Sequence, residues 1–155
     1  MSGDDGVRRA IPADGGELAR LLHDFNTEFD EYVPAVPVLT ERIAEHIERN
    51  HSTFFLAGAG PDGFASVRFR PSLTTGSLDA YIEELYVAPA RRAQGLGRAL
   101  LEAVMEEARG RGADHIDLGT SEDDTAARGL YESAGFTNRE GRPDGPVMLY
   151  YERDL

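Results

Sequence analysis

The segment Arg91-Arg92-Ala93-Gln94-Gly95-Leu96-Gly97-Arg98 constrains this chain more than any other, because it joins the end of a strand to the start of a helix. Upstream, Leu78 to Val87 reads as a strand that Pro89 ends; downstream, Leu96, Ala99, Leu100, Ala103, Val104 and Glu107 recur at helical spacing until Gly112. The first turn of a helix carries N–H groups without internal partners and the positive end of the dipole. Glycines there let those amides approach a diphosphate closely. Two familiar phosphate loops do not fit. A nucleotide P-loop requires Gly-Lys followed by Ser or Thr, and Gly97 is followed by Arg98 and Ala99. A dinucleotide fingerprint needs Gly or Ala where Leu100 stands and a tight loop, whereas seven residues separate Val87 from Gly95. Asp117, about 20 residues on as that fingerprint prefers, does not repair two failures.

A third pattern does fit. Arg92-x-x-Gly95-x-Gly97, after a strand ending Leu85-Tyr86-Val87-x-Pro89, resembles the acetyl-CoA signature of the GNAT superfamily of N-acetyltransferases. Farther along, Ala127-x-x-Leu130-Tyr131-Glu132-x-x-Gly135-Phe136 resembles the same family's later helix and its closing Gly-Phe. The likeness is specific over about residues 78–136 and only topological before that. It implies acetyl-CoA as co-substrate. The backbone of Leu85, Tyr86 and Val87 would pair with the pantetheine arm like an added strand, and the amides of Ala93, Gln94, Gly95, Leu96, Gly97 and Arg98 would hold the pyrophosphate. Arg92 and Arg98 would add charge, although Arg98 reads equally as a solvated helix-terminal residue, and Arg91 reads as surface.

Within that resemblance Tyr131 is the candidate general acid, since a departing thiolate needs a proton that a phenol can donate; its plain alternative is a packed core tyrosine. A base is needed as well, because an alkylammonium is almost wholly protonated at pH 7 and only the neutral amine attacks. Glu83 matches the acidic strand position of polyamine acetyltransferases, and strict alternation puts it on one face with Leu85 and Val87. Glu84 then faces oppositely and is the reserve base or a substrate contact. Adjacent strand glutamates are also consistent with simple exposure. One position departs from the family pattern: Asp124 stands where many members carry Asn. Asp caps a helix equally well but cannot donate a side-chain hydrogen bond, which puts the pantetheine contact of Asp124 in doubt, while the resemblance still implies a cofactor contact at Ala127.

The remaining pattern supplies the rest of a fold. Val7 to Ile11 reads as a first strand, Pro12-Ala-Asp-Gly-Gly opens a helix through Leu18, Leu21, Leu22 and Phe25, and a loop with Pro34 and Pro37 precedes a helix starting at Thr40. Thr53 to Ala57 and Phe64 to Phe69 form a hairpin about a Gly-rich turn. His115 to Leu118 follows a helix and so runs parallel to the strand before it. Thr125 to Ala134 is a helix, and Val147 to Glu152 a closing strand that completes this sheet or a partner's, which would make a homodimer. The expected class is α/β (α+β): one domain over 1–155 with a GNAT-like central mixed sheet, mostly antiparallel. Its parallel strands splay at the cofactor site, and helices lie on both faces.

Composition narrows the partners. The chain has 155 residues, which fit one domain, and no cysteine, which removes thiolate chemistry and disulfides. Twenty-eight acidic against 16 basic residues give a net charge of -12, which disfavours nucleic acid and favours a cationic small molecule, though solvation alone accounts for much surface charge. No apolar run approaches the roughly 20 residues of a membrane span, and Met-Ser-Gly-Asp-Asp lacks signal-peptide order, so a cytoplasmic protein without membrane contact is expected. His23, His46, His51 and His115 show no metal spacing. Asp24 and Glu28, with Asp30 and Glu31, lie beside Phe25, Phe29 and Tyr32. That combination suits a polyamine or aminoglycoside, or is an ordinary amphipathic helix with a solvated acidic face. The expectation is an acetyltransferase acting on a small cationic amine. A protein or peptide acetyltransferase and a non-catalytic acyl-CoA sensor are the alternatives.

Overall fold

The computed structural model describes residues 6–155, and the chain groups into two compact units that meet in sequence at Leu118 and Gly119. The first unit holds β1 (Val7–Arg9), α1 (Gly15–Glu28), α2 (Val36–Glu48), β2 (Thr53–Ala57), β3 (Gly63–Pro71), β4 (Leu78–Val87), α3 (Leu96–Gly110) and β5 (Ala113–Leu118). The second unit holds α4 (Thr125–Ser133). The sheet runs β1-β2-β3-β4-β5, antiparallel throughout except for the parallel β4–β5 pair. That is the mixed, mostly antiparallel architecture expected from the sequence.

Register assigns the two faces. Phe54, Leu56, Phe64 and Tyr86 share one face and pack with Leu18, Leu21, Leu39 and Ile43 of α1 and α2. Close approach of those helices requires Gly15, where a Cβ would lie 2.9 Å from the Thr40 carbonyl oxygen. The other face carries Thr53, Phe55, Ala65 and Phe69. There α3 packs, burying Leu96, Leu100, Leu101, Val104 and Ala108. At its C-terminal end Arg111 donates to Thr53 Oγ1 at 2.9 Å and lies 4.4 Å from the Phe69 ring centroid.

Three expectations change. The second helix begins at Val36 rather than Thr40, because Pro37 sits in its first turn, where a missing N–H has no consequence. In β4 the register slips: Val67 pairs with Ile82 but Ser66 with Glu84, so Glu83 is the extra residue of a bulge. Alternation therefore breaks: Glu83, expected on the face of Leu85 and Val87, joins Glu84 and Tyr86 on the α1–α2 face, where it meets Ser52 beside His46. Finally, Val147 to Glu152 forms no ladder strand. The second unit has one isolated bridge, Arg139 to Val147, flanked by Met148 N to Asn138 O at 2.7 Å and Glu140 N to Pro146 O at 2.9 Å.

Candidate active site

Strand β4 pairs with β5 only from Leu78 to Ile82. From Glu83 to Val87 it pairs with β3 alone, so one backbone edge, that of Leu85, Tyr86 and Val87, has no ladder partner among the described residues. Such an edge accepts an added strand through its free N–H and C=O groups. The chain then turns through Ala88 to Arg92 and reaches α3. Gly95 is the N-cap at φ 88°, a left-handed conformation that favours glycine, and Ala93 also lies there at φ 60°. The first intrahelical bond here runs from Ala99 N–H to Gly95 O at 3.0 Å, so the residues ahead of it form the N-terminal turn of α3. An open strand edge leading to a left-handed glycine cap is a fitting cradle for a pantetheine arm and its diphosphate.

The arginines divide their roles. Arg91 bonds Asp62 in the β2–β3 turn at 2.6 Å and Gln94 Oε1 at 3.0 Å, so it anchors the loop. Arg92 donates from Nη2 to both oxygens of Glu28 at 2.8 Å and from Nε to Val87 O at 2.9 Å, with its guanidinium 5.7 Å from the Tyr86 ring centroid. Tyr86 stacks on Phe25 at 4.9 Å and hydrogen-bonds Glu28. The loop that precedes α3 is thus tied to the C-terminal end of α1. Arg98 lies 4.0 Å from Glu102 on its own helix.

On the α1–α2 face the bulge sets two glutamates side by side in different surroundings. Glu83 takes Arg68 Nε at 2.6 Å and the buried Ser52 hydroxyl at 3.0 Å; Ser52 is 3.5 Å from His46 Nδ1. Its charge is compensated. Glu84 is half-buried and has no hydrogen-bond or ion-pair partner among the described residues. Burial, then the charges of Glu83 and Glu31, push its carboxyl up to about 7. Burial followed by Glu28 and Asp24 likewise raises the Tyr86 phenol. Asp24, Glu28, Glu31, Glu83 and Glu84 therefore act on one electrostatic neighbourhood. Asp24 is balanced by Arg20 at 3.8 Å.

The second unit contains the other expected residues. Asp124 is the N-cap of α4, accepting the Ala127 N–H at 3.1 Å, as its position predicts. Tyr131 is half-buried, edge-on to Phe136 at 5.9 Å, and its hydroxyl takes no hydrogen bond among the described residues. Burial and then the Asp124 charge push its phenol up to about 12, which keeps the proton on at neutral pH. Sequence reasoning missed the Arg68–Ser52 clamp on Glu83 and the Arg92–Glu28 pair, since neither has a local spacing signal.

Residues 18–136 match the Acetyltransferase (GNAT) family. The chain belongs to that family. Among its relatives is an aminoglycoside N(6')-acetyltransferase type 1 from Stenotrophomonas maltophilia, 28% identical over 86% of this chain and 87% of that protein. A mycothiol acetyltransferase from Beutenbergia cavernae is 40% identical over 87% of this chain, which spans half of that longer protein. The crystal structure of an Arthrobacter sp. FB24 protein described as an acetyltransferase superposes with a TM-score of 0.89 at 40% identity, covering 100% of this chain and 99% of that one. This GNAT chain is accordingly an acyltransferase of the GNAT fold. The family generally uses acetyl-CoA, and the β4 edge and α3 cap are compatible with it. No helix among the described residues is long and apolar enough to cross a membrane.

Proposed function

We propose that this GNAT enzyme transfers an acetyl group to a primary amine of a small polycationic molecule of the polyamine or aminoglycoside kind, within a single catalytic domain spanning residues 1–155. The observation that carries the reading is Glu84: an uncompensated, half-buried carboxyl beside the open end of β4, among four other acidic groups. A cation entering this neighbourhood relieves like-charge repulsion that the protein itself leaves in place. Both the aminoglycoside and the mycothiol relatives carry names that point to small-molecule acceptors.

Acetyl-CoA supplies an acetyl thioester when bound, held by the backbone of Leu85, Tyr86 and Val87 and by the amides from Ala93 to Arg98. Glu84 accepts a proton from the substrate ammonium at its carboxylate, leaving a neutral amine whose lone pair forms the new C–N bond. A carboxyl pushed up to about 7 is matched to this work at neutral pH, whereas both Arg68 and Ser52 already occupy Glu83. Glu83 thus contributes field, and Glu84 moves the proton. Tyr131 keeps its hydroxyl proton at pH 7 and gives it to the sulfur that leaves when the C–S bond breaks, and the second proton shed by the acylated nitrogen restores the phenol. Asp24, Glu28 and Glu31 hold the acceptor's other ammonium groups.

The test is CoA-thiol release with polyamines, aminoglycosides, amino acids and lysine peptides as acceptors. Wild type is expected to turn over a polyamine or aminoglycoside. Tyr131→Phe and Glu84→Gln are expected to lose about 10²–10⁴-fold in kcat while acetyl-CoA still binds. Turnover confined to lysine peptides, or undiminished in both variants, overturns the reading.

A further inference from the structure

Asp62 closes the turn between β2 and β3, and the loop that leads to α3 is fastened to it by both backbone and side chain. The Ala88 N–H donates to Asp62 O at 2.8 Å, and Arg91 Nη1 donates to Asp62 Oδ2 at 2.6 Å. Arg91 reads from the sequence as surface, yet its side chain is 27% exposed and that of Asp62 21%, so water screens this pair far less than it screens an ordinary surface bridge. A short hydrogen bond between charged groups is also among the stronger kinds. The turn itself is well held. Asp62 N donates to Ala57 O at 2.8 Å, Gly58 N to Gly6 O at 3.3 Å, and Arg20 Nη2 of α1 to Pro61 O at 2.9 Å. It is shaped around the carboxylate as well, because a Cβ at either Gly58 or Gly60 would collide with the Asp62 side chain.

From Arg91 the fastening continues across the loop. Arg91 Nε donates to Gln94 Oε1 at 3.0 Å, and Gln94 Nε2 donates to Ala90 O at 3.3 Å. Ala90 and Arg91 stand before Ala93 and Gln94 stands after it. The staple therefore brackets Ala93, whose φ of 60° lies in the left-handed region that a residue with a Cβ seldom enters. Gly95, at φ 88°, reaches the same region without that penalty. A strained backbone persists only where its surroundings over-determine it. Here those surroundings run from Ala93 through Gln94 and Arg91 to Asp62, which anchors them to the sheet.

We propose that Asp62 is a positioning residue for acetyl-CoA. Acting through Arg91, it keeps the loop before α3 in its left-handed turn at Ala93 when no cofactor is bound, so the diphosphate meets amides that binding does not have to order. Without the anchor the loop relaxes away from that turn, and affinity falls by the fraction of molecules that leave it. The inference rests on reading the β4 edge and the α3 cap as an acetyl-CoA cradle, and it adds to that cradle a residue from the turn between two other strands.

The experiment is isothermal titration of acetyl-CoA into the full chain, wild type and variants, with thermal melts alongside. Asp62→Ala is expected to raise Kd about tenfold, the order of one charge-assisted hydrogen bond, and Asp62→Asn, which keeps an acceptor oxygen, by less. Arg91→Ala should weaken binding as much as Asp62→Ala, and the double variant no more than either, because both break one connection. In an Ala93→Gly background the loss caused by Asp62→Ala should shrink to about threefold or less, since glycine enters the left-handed region without the anchor. A role for Asp62 in stability alone would not be relieved in that way. Should Asp62→Ala fail to melt cooperatively, Asp62→Asn and Arg91→Ala carry the same comparison. Unchanged affinity in the folded variants overturns the inference, as do losses that add in the double variant or persist undiminished with Ala93→Gly, and the cofactor reading survives each of these. Absence of acetyl-CoA binding by wild type overturns both.

Discussion

Replacing Glu84 by Gln separates catalysis from stability, because the group proposed to accept the proton is also one that the fold holds at a cost. Its carboxyl is raised from an ordinary 4.5 to about 7, chiefly by burial and then by Glu83 and Glu31. Moving a carboxyl over that interval corresponds to ~3.4 kcal/mol between its protonation states. The side chain keeps some access to water, so about 2 kcal/mol is the expected realised amount. A raised carboxyl binds its proton more tightly in the folded than in the unfolded chain. Stability therefore falls as pH rises from 4.5 to 7 and is flat above. Gln cannot ionise and escapes that loss. Glu84→Gln is expected to match wild type in urea unfolding near pH 4.5 and to exceed it by about 2 kcal/mol at pH 8, a rise of roughly 4–8 °C in Tm for a chain of this size. Over the same range its kcat falls steeply. A variant less stable than wild type at pH 8, or shifted equally at both pH values, refutes the claim that Glu84 is an uncompensated carboxyl.

Other consequences follow from the same geometry. The kcat/KM of wild type should rise with pH through about 7. Glu83→Gln should move that limb to lower pH by removing a neighbouring negative charge. Arg68→Gln should move it to higher pH, since the Glu83 charge then acts without its counter-ion; parallel shifts in both variants count against the arrangement. At Gly95 a Cβ meets nothing within 4 Å, so Gly95→Ala should cost only the left-handed backbone term of about 1–2 kcal/mol in the free protein, read by denaturant melts. Isothermal titration should show weaker acetyl-CoA binding by the same variant. Asp124→Asn should leave α4 within a few tenths of a kcal/mol of wild type, and Asp124→Ala should lose about 1 kcal/mol with the cap, both by thermal melts.

Legibility in the sequence tracks how local each constraint is. Gly95 and Asp124 were readable because a left-handed cap and an N-cap are decided by one residue and its immediate neighbours. The bounds of β4 were readable from ten residues of β-forming pattern ended by Pro89. The bulge at Glu83 was not, since inserting one residue into a ladder alters which partner lies opposite without altering composition or period nearby. Its effect is nonetheless large: strict alternation put Glu83 with Leu85 and Val87, opposite Glu84, and the bulge brings both glutamates to the α1–α2 face. Pro37 misled the start of α2 because proline signals a break within a helix and an opening in its first turn, and only the position decides. The pairs Arg68–Glu83 and Arg92–Glu28 span 15 and 64 residues and leave no local trace.

The Arg68–Glu83 pair gives the two neighbouring glutamates different surroundings. Two adjacent strand carboxylates in similar surroundings would titrate together and neither would be tuned. Here Arg68 and Ser52 engage Glu83, while Glu84 has no such partner and burial, then the Glu83 and Glu31 charges, push its carboxyl up to about 7. Environments that push paired groups apart separate a field-setting residue from a proton-moving one. Arg92 extends the same logic to the cofactor loop. Its guanidinium joins Val87 O at the open strand edge to Glu28 on α1, so the expected acetyl-CoA cradle and the acidic acceptor face share one side chain. An anion drawn to the amides ahead of α3 competes with Glu28 for Arg92. Whatever draws Arg92 toward the phosphates leaves Glu28 less neutralised and more attractive to an ammonium, so cofactor and acceptor should bind with positive cooperativity, each tightening the other by the same factor.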